Sequence, residues 1–210
     1  MNKSMYSLML MDDVVKAVDR YAYLHNTNRS NLVNQILAEY LEIETPEMVT
    51  KEIFSFIKEL IDNEVFQITK TTSATSLAIR SSLAYKYRPT IKYNFELYRD
   101  FRENVGQLTV SFRTQSPKLL VELARFFEFW LAIEEQYTDS AMYYDSSTGK
   151  FVRNIKAPGE INNRDISQTL TNYLLQFDEI LKKYLAGEYQ NYQQLASDYA
   201  HLRSYYAINI

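Results

Sequence analysis

From Met5 to Asp13 the chain alternates: Tyr6, Leu8 and Leu10 fall on one side, Met5, Ser7 and Met9 on the other. Alternation of this kind predicts a strand. No second strand lies within hairpin reach, because the period changes at once. Over residues 12–24, Val14, Val15, Val18, Tyr21, Ala22 and Leu24 recur at helical spacing, and Asp12 and Asp13 complement the helix dipole at its start. Asn26 suits the left-handed conformation that ends a helix, and Asn28 suits the N-cap of the next. That second helix, residues 29–41, places Leu32, Val33, Ile36, Leu37, Tyr40 and Leu41 on its apolar positions. Pro46 then fits the first turn of a third helix over 46–62, carrying Met48, Ile53, Phe54, Ile57, Leu60 and Ile61.

The pattern returns to period two after residue 62. "VFQITKTT" offers one short strand, and "TSLAIRSSLAYKY" sets Leu77, Ile79, Leu83, Tyr85 and Tyr87 on one side. "TIKYNFELY" alternates Ile91, Tyr93, Phe95 and Leu97 against Lys92, Asn94 and Glu96. "QLTVSFRT" alternates Leu108, Val110 and Phe112 against Thr109, Ser111 and Arg113. Short turns between such runs predict an antiparallel meander with one wet face. "PKLLVELARFFEFWLAIEEQY" is apolar nearly all round and reads as a central helix. "AMYYDSSTGKFVRNI" reads as a hairpin, residues 156–164 as a loop, and 165–186 and 188–206 as two closing helices. Tyr192, Leu195, Tyr199, Leu202 and Tyr206 form a stripe on the last helix, expected to pack on its own domain in preference to a dimer seam.

The expected class is α+β: a strand-helix-helix module over residues 1–45, followed by a mixed domain over 46–210 with an antiparallel sheet and several helices. One strand cannot satisfy its own backbone groups, and two short helices enclose too little core to stand alone. A second copy removes both difficulties, so the expected partner of the first strand is the same strand across a two-fold axis. Tyr6, Leu8, Leu10, Val18, Leu32 and Ile36 are the expected core of that dimer.

"YSLMLMDDVVKAVDRYAYLHNTNRSNLVNQILAEYL" resembles the ribbon-helix-helix family of DNA-binding proteins, through its alternating strand, acidic helix start, "VDRYA", turn, "NRSN" and closing "YL". The resemblance covers about 36 residues and leaves the remaining domain unassigned. It implies a ribbon that enters the major groove of double-stranded DNA with Met5, Ser7 and Met9 at the reading positions. It also implies that Asn28, Arg29 and Ser30 open the second helix against phosphate, with Lys3 close by. The pattern departs from the family at the reading positions. Methionine can touch a thymine methyl but cannot make the bidentate contacts of Arg or Asn. Four basic residues stand against six acidic ones through Glu44, which gives little sequence-independent attraction to DNA.

Composition narrows the alternatives. The 210 residues contain no cysteine and two histidines, His25 and His201, so disulfides, thiolate chemistry and His-rich metal sites are not expected. No metal and no cofactor is expected, and no nucleotide-binding or hydrolase motif occurs, so an enzyme is not the expected reading. No apolar run reaches membrane-spanning length, and the expected setting is the cytoplasm with no membrane partner. The formal charge is -3.

Four other clusters invite chemistry. "YKYRPTIKY" interleaves Tyr85, Tyr87 and Tyr93 with Lys86, Arg88 and Lys92, as a single-stranded nucleic-acid platform would, although an amphipathic hairpin with solvated cations is the preferred reading. "SFRTQS" before Pro117 could cup an anion, with plain helix capping preferred. Glu134, Glu135, Asp139 and Asp145 read as a solvated helix end and turn. His25 reads as a surface or capping residue and His201 as a surface partner of Asp198. The expected function is therefore a dimeric, sequence-specific, repressor-like DNA-binding transcriptional regulator. Its second domain would receive a small-molecule or protein effector or build a higher oligomer. The alternative is an antitoxin-like or plasmid-maintenance interaction protein in which the first module mainly dimerises.

Overall fold

A computed structural model describes residues 5–25, 27–69, 73–85, 88–99, 104–156 and 162–207. The protein is α+β, with six helices and a six-stranded antiparallel sheet among the described residues. The chain divides into two compact units, Met1–Val49 and Thr50–Ile210.

The first unit holds α1 (Asp12–Leu24) and α2 (Arg29–Tyr40). Both acidic residues fall in the first turn of α1, where they complement the dipole. The Asn28 side chain caps α2 by accepting from the Asn31 N–H at 2.9 Å. The expected strand is the exception. Residues 5–11 enter no ladder, and three helices precede the sheet along the chain. A strand without a partner cannot form its hydrogen bonds, and a single copy supplies no partner. Asn26 and Lys3 lie outside the described residues.

The third helix, α3 (Pro46–Leu60), begins on proline and crosses the division between the units. Its buried residues include Ile53, Phe54 and Ile57, but Leu60 is exposed instead of joining them.

In the second unit, β1 (Gln67–Thr69), β2 (Ser76–Ser82), β3 (Thr90–Leu97) and β4 (Asn104–Arg113) form a meander. After α4 (Pro117–Glu134), the chain returns as the hairpin β5 (Met142–Asp145) and β6 (Lys150–Lys156). The order is β1-β2-β3-β4-β6-β5, so β6 pairs with β4 and β5 forms the far edge. Strand β2 stops at Ser82. Tyr85 therefore lies beyond it instead of continuing its inward side, and Lys86 and Tyr87 lie outside the described residues. At Gly106, beside an irregularity in the β4–β6 register, a Cβ would come within 2.3 Å of the Glu96 carbonyl oxygen. Only glycine allows the two backbones that approach.

Helices α4 and α5 (Asn163–Ala186) cover one face of this sheet. The Phe127 ring stacks on Phe151 at 5.1 Å, and Phe177 meets Trp130 edge-on at 4.8 Å. Edge-to-face and offset aromatic pairs of this kind hold the interior together beyond simple area burial. Ser116 and Asn162 cap α4 and α5, and Gly187 closes α5 in the left-handed conformation. The last helix, α6 (Tyr192–Tyr205), buries Leu195, Tyr199 and Leu202. Its Tyr199 carbonyl accepts from the Gln176 side chain on α5 at 2.8 Å, so the stripe packs within its own unit.

Candidate nucleic-acid interface

The first unit buries little as a single copy. Ala22, Leu32, Ala38 and Thr45 are buried, whereas Val14, Tyr21, Leu24, Ile36, Leu37, Tyr40 and Leu41 stay exposed. Val18 is half-buried. Along residues 5–10 the expected inward positions are progressively shielded, with Tyr6 84 %, Leu8 63 % and Leu10 43 % exposed. The expected reading positions Met5 and Met9 are fully exposed, and Ser7 is exposed as well. Of the six expected dimer-core residues, one copy buries Leu32 alone.

The start of α2 brings Asn28, Arg29 and Ser30 together. Asn28 spends its side-chain oxygen on the Asn31 N–H. Arg29 and Ser30 contribute first-turn N–H groups, which the intrahelical ladder does not use. The Arg29 side chain turns back to α1, where Nε donates to Asp19 Oδ1 at 2.7 Å and Nη2 to Oδ2 at 2.5 Å. The hydrogen bond to Arg29 holds the Asp19 carboxyl below its ordinary range, and Asp19 in turn raises Arg29. Asp19 was not among the residues expected at this site. Its ten-residue separation from Arg29 is no helical spacing and follows only from the angle between α1 and α2. Nearby, His25 caps α1 and stacks on the Tyr21 ring at 4.2 Å.

The second unit contains two buried polar clusters. In the first, Tyr93 donates to Asp178 Oδ1 at 2.8 Å, and Lys182 Nζ donates to Asp178 Oδ2 at 2.5 Å and to Ser81 Oγ at 2.8 Å. Burial, then the neighbouring carboxylate, pushes the Tyr93 hydroxyl well above its ordinary value, so it remains a donor. Lys182 borders a cleft of about 460 Å³ that Tyr85, Glu179, Lys183 and Glu188 also line. Its cations are already matched: Lys182 pairs with Asp178, and Lys183 with Glu179 and Asp198.

In the second cluster, Arg153 on β6 donates through Nε to Glu134 Oε2 at 2.9 Å, and both side chains are fully buried. Tyr199 donates to Glu134 Oε1 at 2.8 Å, and the Arg153 guanidinium lies 4.4 Å from the centre of the Tyr173 ring. Glu134 is therefore an interior anion and not part of a solvated helix end. Asp139 does lie at the surface, where it pairs with Lys156 at 2.8 Å. Asp145 closes its own turn by accepting from Ser147 and Thr148.

The motif "YKYRPTIKY" splits across the sheet. Tyr93 points into the core, so it offers no ring for base stacking, while Lys92 points to the opposite face. Ser116 caps α4 by accepting from the Leu119 N–H at 3.4 Å. No cluster of three or more His, Asp or Glu side chains suited to a metal occurs among the described residues. Nor, among them, is any helix long and apolar enough to cross a membrane. Comparison with known proteins finds no matching family, no similar curated protein and no similar solved structure.

Proposed function

We propose that this protein is a dimeric, sequence-specific DNA-binding regulator of repressor type. In this reading residues 1–45 act as a ribbon-helix-helix module, and the second domain serves an effector, a partner or a higher oligomer. The observation that carries it is the unfinished core of the first unit. A segment with graded exposure at Tyr6, Leu8 and Leu10 precedes two helices of which Val14, Tyr21, Leu24, Ile36, Leu37 and Tyr40 stay exposed. Exposed apolar surface of this extent marks an association surface. A two-fold copy would give residues 5–11 a ladder and would cover Val18, Ile36 and Leu37. Met5, Ser7 and Met9 would then stand on the outer side of the ribbon, with the α2 N-termini free to meet phosphate. Selection from a random-sequence duplex library with the full-length protein tests the reading. Enrichment of a site with two-fold symmetry is expected, and equal retention of all sequences overturns it.

A second reading draws on different observations. Arg29 is engaged by Asp19, two reading positions are methionine, and residues 1–49 carry seven acidic against four basic residues. These favour an antitoxin-like or plasmid-maintenance interaction protein whose first module only dimerises. In that case the protein dimerises normally and the library shows no enrichment.

A further inference from the structure

The face of the sheet turned away from α4 and α5 carries a row of cations fixed by strand register. Arg80 on β2 lies opposite Lys92 on β3, Lys92 opposite Ser111 on β4, and Ser111 opposite Lys150 on β6. Arg113 follows two residues beyond Ser111 and faces Thr90, which in turn faces Ser82. Side-chain parity places all four cations outward, since their neighbours Ile79, Tyr93, Phe112 and Phe151 point to the helices. All four are exposed, and none has an ion-pair partner among the described residues.

Two features distinguish this row from an ordinary solvated face. Arg80 and Lys92 are direct cross-strand neighbours, and like charges so placed destabilise a sheet. The one acid in the row, Asp145, is Lys150's partner in the ladder. It is held by Ser147 and Thr148 at no ion-pair distance from Lys150, so four cations stand against one carboxylate. Glu96 sits on the same face but four residues away from Lys92 along β3, roughly 13 Å. The row is thus a net positive stripe, four cations against the one carboxylate of Asp145, interleaved with the hydroxyls of Ser82, Thr90 and Ser111.

We infer that this open sheet face binds the phosphate backbone of double-stranded DNA through Arg80, Lys92, Arg113 and Lys150. From β2 to β6 the row spans three strand spacings, about 14 Å. A duplex carries one charge per roughly 1.7 Å of its axis, so several phosphates fall within that footprint. Lysine, arginine and hydroxyl side chains are the usual phosphate partners and carry no sequence information. A single strand would call for stacking rings. Tyr143 is the sole aromatic among the described outward strand positions, which favours the duplex. The inference rests on the proposed function only for the identity of the polyanion. It supplies the sequence-independent attraction that the acidic first unit lacks.

The test uses the full-length protein and a labelled random-sequence duplex, titrated by fluorescence anisotropy at several salt concentrations. Replacing Arg80, Lys92, Arg113 and Lys150 together by Gln should weaken binding at low salt by about tenfold or more, and flatten the salt slope by about 0.9 for each phosphate that is no longer bound. A control variant replaces Lys51, Lys58, Lys118 and Arg125, exposed on helices, by Gln and changes the net charge equally. It should bind as the wild type does. Equal losses in the two variants, or none in the first, overturn the inference. So does tighter binding of a single strand or of polyglutamate than of the duplex. Lys92→Gln alone, with an unchanged melting curve, should still lose a few-fold in affinity and some salt slope. Because the duplex is random in sequence, the result does not depend on whether the ribbon reads a site.

Discussion

The Arg29 guanidinium on α2 grips the Asp19 carboxylate on α1 with two parallel donors, at 2.7 and 2.5 Å. The side chain best suited to hold a phosphate is therefore held by an acid of its own unit. Both groups are exposed, so the contact is screened and can open when a stronger anion competes. Asp19→Asn removes that competitor. The variant should bind random duplex more tightly than the wild type, with a salt slope steeper by about 0.9, as one added phosphate contact requires. An unchanged slope would show that Arg29 does not reach the backbone.

The exposed side chains of the first unit set a second expectation. Leu8→Glu or Leu10→Glu places a carboxylate at a position that a two-fold ribbon would bury, where an unpaired charge is costly. Sedimentation equilibrium should find the wild type dimeric and either variant monomeric. Circular dichroism should show a drop in helix content as α1 and α2 fray. The control Met9→Glu lies on the other side of residues 5–11 and should remain dimeric. A wild-type chain that sediments as a monomer throughout the accessible range would remove the basis for the ribbon.

What could be read from the sequence was whatever depends on local period. The alternation of Ile91, Tyr93, Phe95 and Leu97 against Lys92, Asn94 and Glu96 fixes both the existence of β3 and its buried side. The turn residues between Asp145 and Lys150 fix the hairpin in the same way. Relationships that depend on how elements are placed against one another left no local trace. Glu134 and Arg153 are nineteen residues apart in a helix and a strand. With its neighbour Glu135 also acidic, Glu134 has the sequence context of a surface residue, and only the packing of α4 on β6 makes it an interior one. Lys92 could be assigned outward by parity, but its position opposite Arg80 requires the register. The segment 5–13 shows the reverse case. Its alternation was plain, and a lone chain holds no partner to turn that alternation into a strand.

Asp145 supplies a pH-dependent expectation. Ser147, then Thr148, donates to its carboxylate and holds the group at about 2, below its ordinary 3.8. A depressed carboxyl contributes its full stabilisation above the unfolded value and loses it as pH falls through the folded one. Asp145→Asn should therefore melt below the wild type near neutral pH. The gap should narrow as pH falls below 3.8 and close near 2. A gap independent of pH would assign the effect to turn geometry and not to the charge.

The buried pair of Glu134 and Arg153 should respond asymmetrically to substitution. Both side chains are fully buried, and Tyr199 donates to the second carboxylate oxygen. Burial, then the charge of Glu134, pushes the Tyr199 hydroxyl up, which keeps it protonated as a donor. Arg153→Met leaves an interior carboxylate with its cation removed and should cost about 3–5 kcal/mol. Adding Glu134→Leu to that variant removes the stranded charge, though it also leaves the Tyr199 hydroxyl without its acceptor. The double variant should therefore recover part of the stability but not all of it, because a buried hydroxyl deprived of its partner costs about 1–3 kcal/mol. Urea unfolding of the two single variants and the double variant measures the coupling directly. Additive losses would mean that the two side chains do not depend on each other, and would refute the description of Glu134 as an anion held in place by Arg153.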